Sequence, residues 1–221
     1  MKFSTSKKEL QEALQKLSKA TPTRTTLPIL NCVLINATNK KTTLRTTDLE
    51  LTIDLEISVS IEEEGSAAVP LKQLYDITSE LPETRITIVV DSKNKIEIKT
   101  NFGSYDLMGK QKEEFPATPK IDETKKINIS GKVFRNIIDS TLFAVSKDDL
   151  KPALTGVLFS FNNNGITAVA TDGHRLVKIL DQNHKIDTFN GDIVVPKKFL
   201  SYLSTHLSDN DILLSVGETH M

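Results

Sequence analysis

The strongest constraint in this sequence is that it matches itself. Displaced by 124 positions, residues 6–48 meet residues 130–172 without a gap, pairing Lys8 with Lys132, Ala20 with Ala144, Pro28 with Pro152, Leu30 with Leu154, Val33 with Val157, Leu34 with Leu158, Thr47 with Thr171 and Asp48 with Asp172. With two more residues in the displacement, Val69-Pro70 meets Val195-Pro196, Lys72 meets Lys198, Leu74 meets Leu200 and Ile86 meets Ile212. A register kept over so long a span predicts two homologous domains, 1–123 and 124–221, and any fold assigned to one must serve the other.

Within each repeat the hydrophobic period changes in the same order. SKKELQEALQKLSK places Leu10, Ala13, Leu14 and Leu17 at helical spacing, and ILNCVLIN, TTLRTTD and LTIDLEISVS then read as strands. AAVP is read as opening a second helix, PLKQLYDITSEL, with proline in its first turn. RITIVVD, KIEIKT and SYDLM follow as strands, with hairpin turns at Asn39-Lys40 and Asn94-Lys95. The second repeat runs through SGKVFRNIIDSTLFA, ALTGVLFSF, GITAVA, HRLVKIL, VVPKKFLSYLSTHL and DILLSVGETHM in that order, after the proline-containing linker QKEEFPATPKIDET. The pattern is α+β: two helices and several antiparallel strands per domain.

Composition narrows the class. No apolar run approaches the roughly 18 residues of a membrane span, and the polar start MKFSTSKKEL does not read as a signal peptide. Cys32 is the single cysteine, which rules out an internal disulfide and suits a cytoplasmic protein. Neither a zinc-ligand spacing nor a GxSxG or phosphate-loop motif is present, so no metal or other cofactor is expected.

ATDGHRLVKIL, residues 170–180, is the most pointed candidate for chemistry, with Asp172, His174 and Arg175 on one glycine-containing turn. A hydrolase or transferase using Asp172 and His174 as an acid–base pair is one reading; a scaffold that binds only proteins is another. The repeat argues against catalysis, because Thr47-Asp48 duplicates Thr171-Asp172 and so reads as turn architecture. Gly173, His174 and Arg175 have no counterpart in the first repeat.

The formal net charge is −1, yet the four helical segments together carry +4 and the remainder −5. Cationic helices on an acidic body suit non-specific contact with phosphates, although basic helix faces also occur as solvated surface.

The opening MKF, RTTLPIL at 24–30, TTDLEL at 46–51, AVPLK at 68–72, EEFP at 113–116, LTGVLF at 154–159, ATDGHRL at 170–176 and VVPKK at 194–198 resemble, in order and spacing, the bacterial β sliding clamp family, the processivity subunit of DNA polymerase III. The resemblance implies the DNA clamp fold, in which each domain sets two helices along a channel and antiparallel sheets outside. It also implies a head-to-tail homodimeric ring around double-stranded DNA, without catalytic activity of its own. Family members have three such domains, of which these residues correspond to the first and most of the second; without the third the ring is not expected to close. By residue match the resemblance implies DNA-facing roles for Arg24, Lys72, Lys132, Arg135, Lys197 and Lys198. The KDDLKPA loop at 147–153 lacks the aromatic groups that some clamps offer to DNA there. The resemblance further implies a pocket for short peptides of polymerases, the clamp loader and repair proteins, formed by Lys151, Thr171, Gly173, His174, Arg175 and Leu176. Tyr105 and Leu107 would lie at the subunit interface.

Overall fold

The computed structural model describes residues 1–22, 24–38, 41–117, 126–148 and 150–217. They form two compact units, Met1–Ala117 and Thr118–Met221. The expected boundary at 123/124 and the turn at Asn39-Lys40 lie outside the described residues.

The first unit is built from β1 (Lys2–Ser6), α1 (Lys7–Leu17), β2 (Cys32–Thr38), β3 (Lys41–Thr47), β4 (Thr52–Ile57), β5 (Ser60–Glu63), β6 (Gly65–Pro70), α2 (Leu71–Glu80), β7 (Arg85–Val90), β8 (Lys95–Thr100) and β9 (Gly103–Met108). Its strands pair antiparallel in two sheets, ordered β5-β1-β7-β8-β9 and β4-β3-β2-β6. Ser6 starts α1 by accepting the Glu9 amide at 3.1 Å, satisfying one of the donors that a helix start leaves over. The Glu9 carboxylate turns outward to the Ser58 amide, 3.0 Å away. Leu10, Ala13, Leu14 and Leu17 are buried, as their spacing predicts, and Thr46 donates to the Leu17 carbonyl at the other end. One expectation needs correction. AAVP does not open a helix but ends β6, and α2 begins only after Pro70. LTIDLEISVS likewise breaks into β4 and the start of β5.

On its outer face the second sheet of this unit carries a small separate cluster. Phe115 lies over Ile29, Leu30, Cys32 and Ala68, with Leu34 packed against them. Lys110 and Ala68 exchange backbone hydrogen bonds of 2.8 and 3.3 Å, bringing the chain after β9 alongside β6, the edge strand of that sheet.

The second unit repeats the plan with β10 (Lys126–Ser130), α3 (Gly131–Thr141), β11 (Gly156–Asn162), β12 (Gly165–Thr171), β13 (Leu176–Asp181), β14 (Gly191–Pro196), α4 (Lys197–His206) and β15 (Asp211–Ser215). Its sheets are β13-β12-β11-β14 and the pair β10-β15. VVP ends β14, mirroring the correction at Pro70. Phe134, Phe159 and Phe161 form a buried aromatic row with successive centroid spacings of 5.3 and 6.0 Å. On the outer face, Leu158 and Val194 occupy the positions of Leu34 and Ala68, but they stand 36% and 50% exposed.

Candidate functional site

The turn between β12 and β13 is assembled by Thr171 and Asp172. Asp172 Oδ1 accepts the amides of His174 and Arg175, both at 3.0 Å, while Oδ2 receives Arg175 Nε at 3.0 Å. Thr171 Oγ1 accepts the Gly173 amide at 3.1 Å and donates to the Arg175 carbonyl at 2.7 Å. Those donors, led by the Arg175 and His174 amides, favour the ionised carboxylate and bring the Asp172 pKa down to about 2.

The first unit repeats the same amide contacts. Asp48 Oδ1 accepts the Glu50 and Leu51 amides at 3.1 and 2.7 Å, and Thr47 Oγ1 accepts the Leu49 amide at 3.1 Å. Both turns need a left-handed residue after the aspartate, Leu49 at φ 78° in one and Gly173 at φ 89° in the other. Glycine takes that conformation freely, and a Cβ built on Gly173 would meet nothing within 4 Å.

This geometry removes the acid–base reading. Both Asp172 oxygens hold the turn, and its contact with His174 is through the backbone amide. Among the described residues the His174 ring has no hydrogen-bond partner. What the turn offers is a surface: Gly173, His174 and Arg175 are exposed, and Leu176 is 65% exposed at the start of β13. Lys151 is exposed on the loop before β11, its amide bonded to the Asp148 carbonyl at 3.0 Å. Phe143, which no sequence motif marks, is an exposed ring directly after α3. It lies 5.5 Å from the Arg175 guanidinium carbon, and its carbonyl accepts Arg175 Nη2 at 2.8 Å.

The expected DNA-facing cations fall into two groups. Arg24, Lys72 and Lys132 are exposed, the last two in the first turns of α2 and α3. Lys197 and Lys198 are half-buried at the start of α4, where burial pushes the Lys198 ammonium pKa down. Arg135 is tied to Asp209 by a 2.8 Å ion pair. Each unit packs its own helices together, α1 on α2 and α3 on α4.

Tyr105 and Leu107 lie on β9, the last strand of its sheet, opposite Ile98 and Ile96. Tyr105 is exposed and Leu107 half-buried. Phe102, just before this strand, and Met108, its last residue, are exposed and enlarge that apolar edge, although a reading of the sequence places its Met and Phe positions in the core. Among the described residues no group of three or more His, Cys, Asp or Glu side chains is arranged to hold a metal ion, and no helix is long and apolar enough to cross a membrane.

Residues 1–119 match the family model for the N-terminal domain of the DNA polymerase III beta subunit, and residues 128–221 match its central domain. The chain belongs to the DNA polymerase III beta subunit family. Among curated relatives, the beta sliding clamp of Chlamydia muridarum is 32% identical over 199 residues, covering 90% of this chain and 54% of that protein. That of Bacillus subtilis is 31% identical over 225 residues, covering 98% and 59%. The crystal structure of the Bacillus subtilis DNA polymerase sliding clamp superposes with a TM-score of 0.91 at 30% identity, covering all of this chain and 60% of that one. The DNA polymerase III subunit beta of Pseudomonas aeruginosa gives 0.91 at 27% identity, covering 99% and 60%. The chain thus spans little more than half the length of these relatives, and its fold is the α+β clamp fold.

Proposed function

We propose that this chain belongs to a non-catalytic processivity factor of bacterial DNA replication. As part of a head-to-tail homodimeric ring, it would encircle double-stranded DNA in the cytoplasm and tether the replicative polymerase. Membership of the beta subunit family carries this reading. The exposed Arg24, Lys72 and Lys132 support it, since a sliding ring needs phosphate contacts that carry no sequence information. Lys197, Lys198 and Arg135 are proposed to add to the same field from α4 and α3, and β9 with Tyr105 and Leu107 to meet the neighbouring subunit.

The turn at Thr171–Leu176, with Lys151, is proposed as the docking place for short, partly apolar peptides of polymerases, the clamp loader and repair proteins. Apolar Leu176 on a polar, rigidly bonded turn has the character of a peptide anchor. Sliding clamps of Pseudomonas aeruginosa and Bartonella birtlesii have been solved bound to griselimycin, and that compound serves as a probe of ligand capture here.

Primer extension by the replicative polymerase on a long, singly primed circular template tests the reading with the full-length protein. Longer products in its presence, retention on circular DNA and release when the circle is cut are expected. Unchanged product length, or equal retention on linear DNA, would overturn the proposal. For the docking turn, Leu176→Asp is expected to weaken griselimycin binding, and an unchanged affinity would remove the turn from the site.

A further inference from the structure

Arg175 is the natural choice for a cation that greets an incoming peptide, yet its guanidinium is already engaged on three sides. Nε faces Asp172 Oδ2 at 3.0 Å, Nη2 donates to the Phe143 carbonyl at 2.8 Å, and the guanidinium carbon lies 5.5 Å from the Phe143 ring centroid. Phe143 belongs to the single 3-10 turn, Leu142–Ala144, that extends α3. Carbonyls at a helix end lack intrahelical donors and carry the negative end of the helix dipole, so a cation there is doubly favoured. A guanidinium also lies well on an aromatic face.

The internal repeat supplies an independent comparison. At the position of Phe143 the first domain has Lys19, and at that of Arg175 it has Leu51, which is buried. The Thr-Asp scaffold of the turn is common to both domains, whereas both partners of this contact occur only beside Gly173-His174. We propose that Phe143 is a positioning residue of the docking turn, its carbonyl and ring holding Arg175 as a strut, so that Arg175 orients the turn and Leu176 meets the ligand. The proposal rests on the docking reading above and adds to it a division of labour between neighbouring side chains. The strut fixes the turn to the end of α3, so Leu176 is presented in one direction without an ordering cost when ligand arrives.

Two measurements on the full-length protein test it. In the first, nuclear magnetic resonance follows the side-chain Nε–H of Arg175. A slowly exchanging signal, displaced by the ring current and returned toward the position of an exposed arginine by Phe143→Leu, is expected. A native signal that exchanges like that of exposed Arg24 would overturn the strut. In the second, calorimetry with griselimycin compares Phe143→Leu, Phe143→Tyr, Arg175→Ala and the double variant Phe143→Leu/Arg175→Ala. Phe143→Leu is expected to weaken binding by about two- to fivefold, the equivalent of an exposed cation–π contact. Phe143→Tyr should restore it, and the double variant should bind no worse than Arg175→Ala, because the two residues act as a unit. Additive losses, or a loss for Arg175→Ala with none for Phe143→Leu, would make Arg175 a direct ligand contact and refute the proposal. Should the native full-length protein not bind griselimycin, the docking reading fails on that result, and the Nε–H signal still decides the strut.

Discussion

Replacing Gly173 by alanine tests the left-handed position that both copies of the Thr-Asp turn share and only the second fills with glycine. The residue sits at φ 89°, and a Cβ placed there has no atom within 4 Å, so the substitution strains the backbone without a collision. Left-handed backbone costs an L-residue roughly 1–2 kcal/mol. Alanine recovers about 0.4–1 kcal/mol of that by reducing the freedom of the unfolded chain. The net loss is about 1 kcal/mol, which lowers the melting temperature of a domain of ~100 residues by roughly 4–8 °C. Gly173→Asn should lose less, since asparagine visits this region more readily than other side chains. The mirror experiment is in the first domain, where Leu49 holds φ 78° while 60% exposed, so that Leu49→Asn relieves strain and removes little packing. Thermal unfolding followed by circular dichroism, with amide exchange to assign each transition to its domain, reads all three variants. A midpoint that Gly173→Ala leaves unchanged or raises would refute the conformational argument. A loss beyond about 3 kcal/mol would refute the absence of a steric contribution, being larger than backbone strain alone supplies.

Other expectations follow from single side chains. Among the described residues the buried Thr42 hydroxyl has no hydrogen-bond partner, so Thr42→Val should be neutral or stabilise by up to about 1 kcal/mol in denaturant titrations. Asp172 has a folded pKa of about 2, below its ordinary 3.8, so its support of the turn is complete above pH ~4 and lost as pH falls toward 2. Chemical shifts of the His174 and Arg175 amides, which Asp172 accepts, should therefore titrate in that window, and Asp172→Asn should abolish the step. On the proposed function, Lys72→Ala and Lys132→Ala in the full-length protein should each lower the salt slope of DNA binding by about 1, equally on unrelated sequences. A changed sequence preference would count against phosphate contact.

Much of this architecture is legible in the amino-acid sequence, because the repeat lets each domain check the other. Helical periodicity located α1 correctly, since Leu10, Leu14 and Leu17 have one face to fill. It misplaced the start of α2 and α4, because a proline that ends a strand and one that begins a helix look alike in sequence; Pro70 and Pro196 do both, each closing its strand and serving as the N-cap of the next helix. The Thr-Asp turn was legible from its duplication. The partners of the two arginines were not. Phe143 lies 32 residues from Arg175, and Asp209 lies 74 from Arg135, and no local pattern announces contacts made through the tertiary fold. The same limit hid Phe102 and Met108, whose exposure depends on β9 being the last strand of its sheet.

The covering of one sheet of the first domain by Phe115 bears on how this chain behaves in a concentrated solution. Surface apolar groups set much of a protein's response to excluded cosolutes, since sulfate and similar salts strengthen every tendency to withdraw such groups from water. Phe115→Ser, which uncovers Ile29, Leu30, Cys32 and Ala68, should therefore lower the sulfate concentration at which the whole chain leaves solution.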